Sequence, residues 1–135
     1  MGVLDLLDGI VFFGLRGVPP IRIPQSIAAG ILGREAFQGG LQTAAIGVLL
    51  HFTIATAIVL AFYMVSRRLP VLIAHPIASG ILYGLIVYVA MNYIVIPLSN
   101  AGRGAFSWPV LINGLLIHAF GVGLPSALFA RAARR

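Results

Sequence analysis

The stretch Thr43–Val65, TAAIGVLLHFTIATAIVLAFYMV, decides the fold class of this chain. It contains no Asp, Glu, Lys or Arg, and it is longer than the roughly 20 residues with which one helix crosses a bilayer. It therefore predicts a transmembrane helix that carries His51 near its middle.

The composition of the whole chain also indicates a membrane protein. Of its 135 residues, 60% are hydrophobic and only 9% are charged, whereas soluble domains are typically about 45–50% apolar and about 25% charged. A soluble domain of this length could not bury so much apolar surface. No polar linker interrupts the sequence, so we predict a single domain over residues 1–135 with the lipid bilayer as a partner.

The charged residues and the missing cysteines exclude several functions. The net charge is +6 and all nine basic residues are arginine. They flank the apolar runs instead of forming a patch, so we expect no nucleic-acid partner. The absence of cysteine excludes disulfides and thiol chemistry.

Four apolar runs predict the architecture: an all-α membrane protein with a four-transmembrane-helix bundle. The spans are expected at about 3–18, 43–66, 77–96 and 109–130. The first run is short, so it either spans from the interface or forms a half-length helix packed against its neighbours. Between spans one and two, we expect a short interfacial or re-entrant helix at about 26–37, capped by Ser26.

The arginines predict the orientation in the membrane. With four spans, one side receives a cluster without acidic neighbours, made of Arg67, Arg68, Arg131, Arg134 and Arg135. The other side receives four arginines, partly offset by Glu35: Arg16, Arg22, Arg34 and Arg103. Cytoplasmic segments carry an excess of basic residues, so this side is expected to be cytoplasmic, together with both termini.

Two histidines are the candidate cofactor ligands. His51 and His118 lie near the middle of spans two and four, which run in the same direction and hold them at similar depth. Such a pair suits the axial ligation of haem b, and one histidine suits the magnesium of (bacterio)chlorophyll. Gly47 and Gly114, each four residues earlier, would leave space for a flat macrocycle or for close helix contact. The commoner alternative is that each imidazole only forms hydrogen bonds within the bundle.

Asp5 and Asp8 are the candidate relay residues. They lie three residues apart and share one helix face. Inside the membrane they could relay protons or hold a cation, with His51 or His118 as a partner. The simpler alternative places them in water at the edge of the first helix.

Two glycines are candidates for helix packing, and the sequence contains no recognisable catalytic motif. Gly80 and Gly84 have the spacing that lets two helices pack backbone to backbone. The serines have no general base in a recognisable context, and no phosphate-binding loop or metal-ligand motif occurs. We therefore expect no enzymatic activity, no metal site and, outside the histidine alternative, no cofactor.

Two segments carry a resemblance: GLRGVPPIRIPQSIAAGILGREAFQGG, residues 14–40, and FSWPVLINGLLIHAFGVGLP, residues 106–125. With them the chain resembles a group of small, uncharacterised bacterial multi-pass inner-membrane proteins, which implies that location and no known activity. The exclusive use of arginine is consistent with a bacterial source rich in G and C.

Three function hypotheses follow from these observations. The preferred one is a non-enzymatic accessory or structural subunit that packs in a membrane complex or against itself. The first alternative is an electron-transfer or light-harvesting component with haem b or (bacterio)chlorophyll on His51 and His118. The second is a small oligomeric transporter of protons, cations or another solute that uses Asp5 and Asp8.

Overall fold

Helices build the whole described structure. The computed structural model of the chain describes residues 1–102 and 104–135, and these residues form no strand. The helices are α1 (Gly2–Gly14), α2 (Arg22–Leu32), α3 (Gly40–Arg68), the single turn α4 (Val71–Ala74), α5 (Pro76–Leu98) and α6 (Trp108–Ala133). A 3₁₀ segment, Gly33–Gln38, joins α2 to α3. The predicted all-α class is confirmed.

Three helices are long and apolar enough to cross a membrane. They have 29 residues (α3), 23 residues (α5) and 26 residues (α6). At a rise of about 1.5 Å per residue they are about 44, 35 and 39 Å long, which exceeds the ~30 Å hydrocarbon core. These helices match the second, third and fourth predicted spans. In contrast, α1 has 13 residues and a length of about 20 Å.

Prolines and glycines set the helix boundaries. Pro76 and Pro109 stand in the first turns of α5 and α6, where the missing amide hydrogen costs nothing because that group has no partner within the helix. Pro24 likewise lies in the first turn of α2, where its missing amide hydrogen leaves no helical hydrogen bond unmade. Helix α2 therefore contains Pro24 and begins at Arg22, before the expected residue 26. The Ser26 hydroxyl donates to the Ile23 carbonyl, 2.6 Å away, instead of capping the helix. Gly33, with φ +69°, follows the end of α2.

Helices α5 and α6 pack through glycine. A Cβ on Gly84 would overlap the His118 carbonyl, and a Cβ on Gly123 would overlap the Gly80 carbonyl. The backbones therefore touch without side chains between them, which is how small residues stabilise helix pairs in membranes.

Two π-helical segments interrupt α5 and α6. They cover Met91–Val95 and His118–Gly123, and each ends two residues before a proline, Pro97 or Pro125. A proline in a helix clashes with the carbonyl four residues earlier and cannot donate to it. The wider π turn separates these groups, so α5 continues past Pro97 to Leu98 and α6 continues past Pro125.

The bundle has two distinct ends. We call the end where α3 begins, α5 ends and α6 begins the loop end. There, Asn100 forms two hydrogen bonds with the C-terminal part of α2. Its backbone N–H donates to the Gly30 carbonyl (3.0 Å), and its side-chain Nδ2 donates to the Ile31 carbonyl (3.1 Å). The opposite end, where α3 and α6 finish, is the arginine end. There, the Arg134 guanidinium donates to the Ser66 carbonyl.

Helix α1 occupies only the half of the bundle nearer the loop end. A Cβ on Gly2 would lie 3.1 Å from Phe52 and Ala55, near the middle of α3. Asp8, further along α1, contacts Asn113 near the start of α6. Helix α1 therefore begins at mid-depth beside α3 and runs towards the loop end.

Candidate functional site: a polar cavity inside the bundle

The candidate site is a cavity between α1, α3, α5 and α6. Its volume is about 340 Å³, and most of its lining is apolar. We call it the polar cavity because of the seven polar side chains on its wall. The chemistry-bearing side chains on its wall come from all four helices: Asp5, Asp8, His51, Tyr88, Asn92, Asn113 and His118. Intramembrane ionisable residues normally face such an interior and mark a functional position.

His51 joins α3 to the first turn of α1. Its Nε2 lies 2.8 Å from the Gly2 carbonyl oxygen, and its Nδ1 lies 4.0 Å from an Asp5 carboxylate oxygen. A carbonyl only accepts, so Nε2 carries the hydrogen in this contact. Nδ1 then faces Asp5 as an acceptor in the neutral ring and as a donor in the protonated ring. The side chains of His51 and Asp5 are 12% and 27% exposed, so both lie largely within the protein.

Asp8 joins α1 to α6. The Asn113 Nδ2 donates to an Asp8 carboxylate oxygen at 2.7 Å. Asp5 and Asp8 lie on the same face of α1, so this face presents two carboxylates to the bundle, one beside His51 and the other on Asn113.

His118 lies on the wall formed by α5 and α6. Its Nδ1 lies 2.8 Å from the Gly114 carbonyl and therefore donates to it. The acceptor lone pair of the neutral ring is then on Nε2. The Tyr88 ring packs edge-on against this imidazole at a centroid distance of 5.3 Å. His118 is also the first residue of its π segment, and Asn92 lies in the other π segment.

The structure brings the two predicted histidines and the two predicted aspartates to one cavity. The space beside Gly47 and Gly114 is not open for a macrocycle. A Cβ on Gly47 would overlap the Pro24 backbone of α2, and one on Gly114 would come 2.5 Å from the Tyr88 ring. Both glycines permit close contact within the bundle.

Tyr88 and Asn92 were not among the sequence-predicted site residues. Tyr88 lies in regular helix just before the first π segment and Asn92 lies within that segment, where the available sequence signal was Pro97, two residues after its end. The Asn92 Nδ2 donates to the Tyr88 carbonyl at 3.0 Å, a bond within α5 that orients the amide.

A second cavity of about 770 Å³ adjoins the first towards the loop end. It lies between α2, α3, α5 and the segment before α6. Both cavities are lined by Phe13, Ile27, Ile54, Tyr88 and Asn92, so they meet along a common wall.

Each half of the bundle has a buried cluster. In the loop half, Ala28, Ala29 and Ala36 are buried together. In the arginine half, Phe62, Ala127 and Ala130 are buried together, with Tyr83 against them. The Tyr83 hydroxyl donates to the Ile58 carbonyl at 2.6 Å. This cluster lies between the polar cavity and the arginine end.

No protein-family model, curated protein or solved structure matches this chain. Within residues 1–102 and 104–135, no three His, Asp or Glu side chains are grouped as a metal site.

Proposed function

We propose that this protein is a small integral membrane protein that moves protons or small cations through the polar cavity. The observation that carries the proposal is the position of two carboxylates and two imidazoles around one cavity in an otherwise apolar bundle. A charge in a low-dielectric interior is costly unless it is paired or neutralised. A proton or a cation bound at these carboxylates would neutralise their charge.

The asymmetry of the bundle supports one-sided access. The short helix α1 and the second cavity lie in the half towards the loop end, whereas the Phe62 cluster fills the arginine half. Transport requires a second state in which this arrangement is reversed. The π segments of α5 and α6 are suitable places for that change, since π segments occur often at functional sites.

The proposal includes a membrane arrangement. Helices α3, α5 and α6 span, and α1 is the fourth helix of the bundle, entering the membrane from the loop end. The arginine end, with Arg67, Arg68, Arg131, Arg134 and Arg135, faces the cytoplasm of a bacterial inner membrane. This arrangement does not include the predicted cytoplasmic N-terminus, because it starts α1 beside the middle of α3.

Proton flux into liposomes tests the proposal. The purified chain is reconstituted, a membrane potential is imposed, and an enclosed pH-sensitive dye reports proton entry. We expect flux with the native chain and a loss of about tenfold or more in Asp5→Asn/Asp8→Asn, because the amide neither binds nor releases a proton. Glu35→Gln is the matched control, since Glu35 is the remaining carboxylate side chain and is exposed. Equal flux in the double variant and in the control would reject the proposal.

An accessory subunit without enzymatic activity is the second candidate. The most apolar windows of α3 and α5 are each only 17% buried within one chain, so most of their surface meets lipid or another protein. Cross-linking in native membranes tests this role. Cross-links to another subunit or to a second copy would support it, and a chain that stays monomeric throughout would reject it.

A haem b or bacteriochlorophyll component remains a third hypothesis. The hydrogen bond from His118 Nδ1 to the Gly114 carbonyl is the kind that orients a ligating imidazole. His51, however, would have to release the Gly2 carbonyl or turn Nδ1 away from Asp5 to ligate a metal. A visible absorption spectrum of protein from a cofactor-producing host decides it, because a missing Soret or chlorophyll band would reject this role.

A further inference from the structure

We infer that the cavity binds a lipophilic organic cation as its cargo, in competition with protons on Asp5 and Asp8. The inference rests on the proposed transport function and names its substrate class. It depends on the charge of the cavity wall, on its apolar and aromatic lining, and on its size.

The charged side chains of the described wall are both acidic, Asp5 and Asp8. The other titratable side chains on this wall are His51 of α3, Tyr88 of α5 and His118 of α6, and Met1 also lines it. Helix α2 contributes only Ile23 and Ile27 to this wall. No arginine is among the described lining residues. The Arg16 guanidinium lies over the ring of the wall residue Phe12 (5.6 Å), and that of Arg22 lies over Phe37 (5.0 Å).

Protons and a cation would use the same two carboxylates. An ionised carboxylate in an apolar cavity requires a compensating positive charge, and a protonated one does not. A bound cation therefore favours the ionised carboxylates, and their protonation expels the cation. Binding of one species at this site therefore weakens the binding of the other.

The lining disfavours hydrated inorganic ions. Calcium and magnesium need about six or more oxygen ligands or retained waters, and the described part of the wall has no three-carboxylate or histidine group that could supply them. Most of the lining is apolar, with the rings of Phe13 and Tyr88 among it. Aromatic faces attract organic cations, whose charge is spread over a weakly hydrated surface.

The size of the cavity also fits a small organic molecule. Its volume of about 340 Å³ lies at the lower end of the roughly 300–1,000 Å³ typical of small-molecule sites. The adjoining cavity of about 770 Å³ provides room for apolar substituents that extend past Tyr88 and Asn92.

Binding of tetraphenylphosphonium to the purified full-length chain tests the inference. Equilibrium dialysis in mild detergent measures affinity, and a pH dye in weakly buffered solution measures the protons released. We expect binding with proton release in the native chain. We expect affinity to be at least about tenfold weaker in Asp5→Asn/Asp8→Asn, since each variant carboxamide leaves the cation without a counter-charge.

Control variants separate charge from folding. Asp8→Glu keeps the carboxylate and should bind and release protons, whereas Glu35→Gln changes an exposed carboxylate and should behave as the native chain. Tetramethylammonium carries the charge without the aromatic surface and should bind at least about tenfold more weakly. Equal affinity of the native chain and the double variant, or binding without proton release, would overturn the inference.

The liposome assay distinguishes this failure from failure of the proposed function. Proton flux that depends on Asp5 and Asp8, together with no tetraphenylphosphonium binding, would overturn the organic-cation inference and leave proton transport standing. Absence of both flux and binding would overturn both.

Discussion

His51 has different neighbours at its two ring nitrogens. Nε2 contacts the Gly2 carbonyl at 2.8 Å and Nδ1 faces Asp5 at 4.0 Å. The first contact attaches the beginning of α1 to the middle of α3. The second places a protonatable nitrogen next to a carboxylate. One residue therefore contacts both the backbone of α1 and one of its two carboxylates.

Replacing His51 should loosen the first turn of α1. In His51→Leu the Gly2 carbonyl loses its donor, and interhelical hydrogen bonds in membranes are worth about 0.6–1.7 kcal/mol. We expect faster amide hydrogen exchange at the beginning of α1, measured by mass spectrometry. Thr53→Val is the control, because the Thr53 hydroxyl donates only within α3, to the Leu49 carbonyl. Unchanged exchange in His51→Leu would contradict the described contact.

The hydrogen bond between Asp8 and Asn113 should appear as a coupling energy. Asn113→Leu removes the donor and should lower the free energy of unfolding by about 0.6–1.7 kcal/mol. The exchanged pair Asp8→Asn with Asn113→Asp keeps a carboxylate opposite an amide and should recover most of the loss. Unfolding in a denaturing detergent measures each variant, and strictly additive effects would show that these side chains do not interact.

The partners of the histidines were only partly predictable at this scale. A carboxylate near His51 could be expected, because buried imidazoles need partners and α1 offers two aspartates. The contacts with the Gly2 and Gly114 carbonyls were not, since every residue has a carbonyl and no side chain marks the one that is used.

At the scale of the helices, the main feature is the close backbone packing of α5 against α6. Gly84 touches the His118 carbonyl and Gly80 lies against Leu124 and Ala127. The same interface contains the π segment that begins at His118. The glycine contact therefore positions one wall of the polar cavity.

A methyl group on Gly84 should separate α5 from α6. Gly84→Ala places a Cβ on the His118 carbonyl, and such overpacking typically costs about 1–3 kcal/mol. We expect a lower Tm in detergent. Gly14→Ala is the control, because no atom lies within 4 Å of its added Cβ. A Tm for Gly84→Ala equal to that of the control would contradict this packing.

The three helices that are long and apolar enough to span a membrane could be predicted, because hydropathy over a long window needs no tertiary information. The position of α1 could not, because a short apolar run with Asp5 and Asp8 suits both an interfacial start and a half-length helix. The contact of Gly2 with Phe52 and Ala55 places the beginning of α1 beside the middle of α3. The π segments also escaped prediction, because proline alone predicts a kink or an end without specifying the wider turn.

At the scale of the whole molecule, the arginine end differs from the loop end, where α2 lies. Five arginines lie at or beyond the ends of α3 and α6 that form the arginine end: Arg67, Arg68, Arg131, Arg134 and Arg135. The polar cavity and its larger neighbour lie nearer the loop end. The proposed orientation therefore makes the cavity accessible from the non-cytoplasmic side in this conformation.

Cysteine labelling should reveal this orientation. The chain has no cysteine, so a single introduced thiol gives an unambiguous signal. Leu98→Cys at the exposed end of α5 should react with a membrane-impermeant maleimide on intact cells. Arg135→Cys should react only after permeabilisation, with the native chain as the blank. The reverse pattern would invert the proposed topology.

The central claim is that Asp5 and Asp8, inside the bundle, carry the transported proton or cation. The most direct measurement compares dye-reported proton flux in liposomes for Asp5→Asn/Asp8→Asn and for Glu35→Gln at equal amounts of folded, reconstituted protein. The account predicts a loss of about tenfold or more in the double variant and native flux in Glu35→Gln. Native flux in both, or no flux in the native chain, would contradict it.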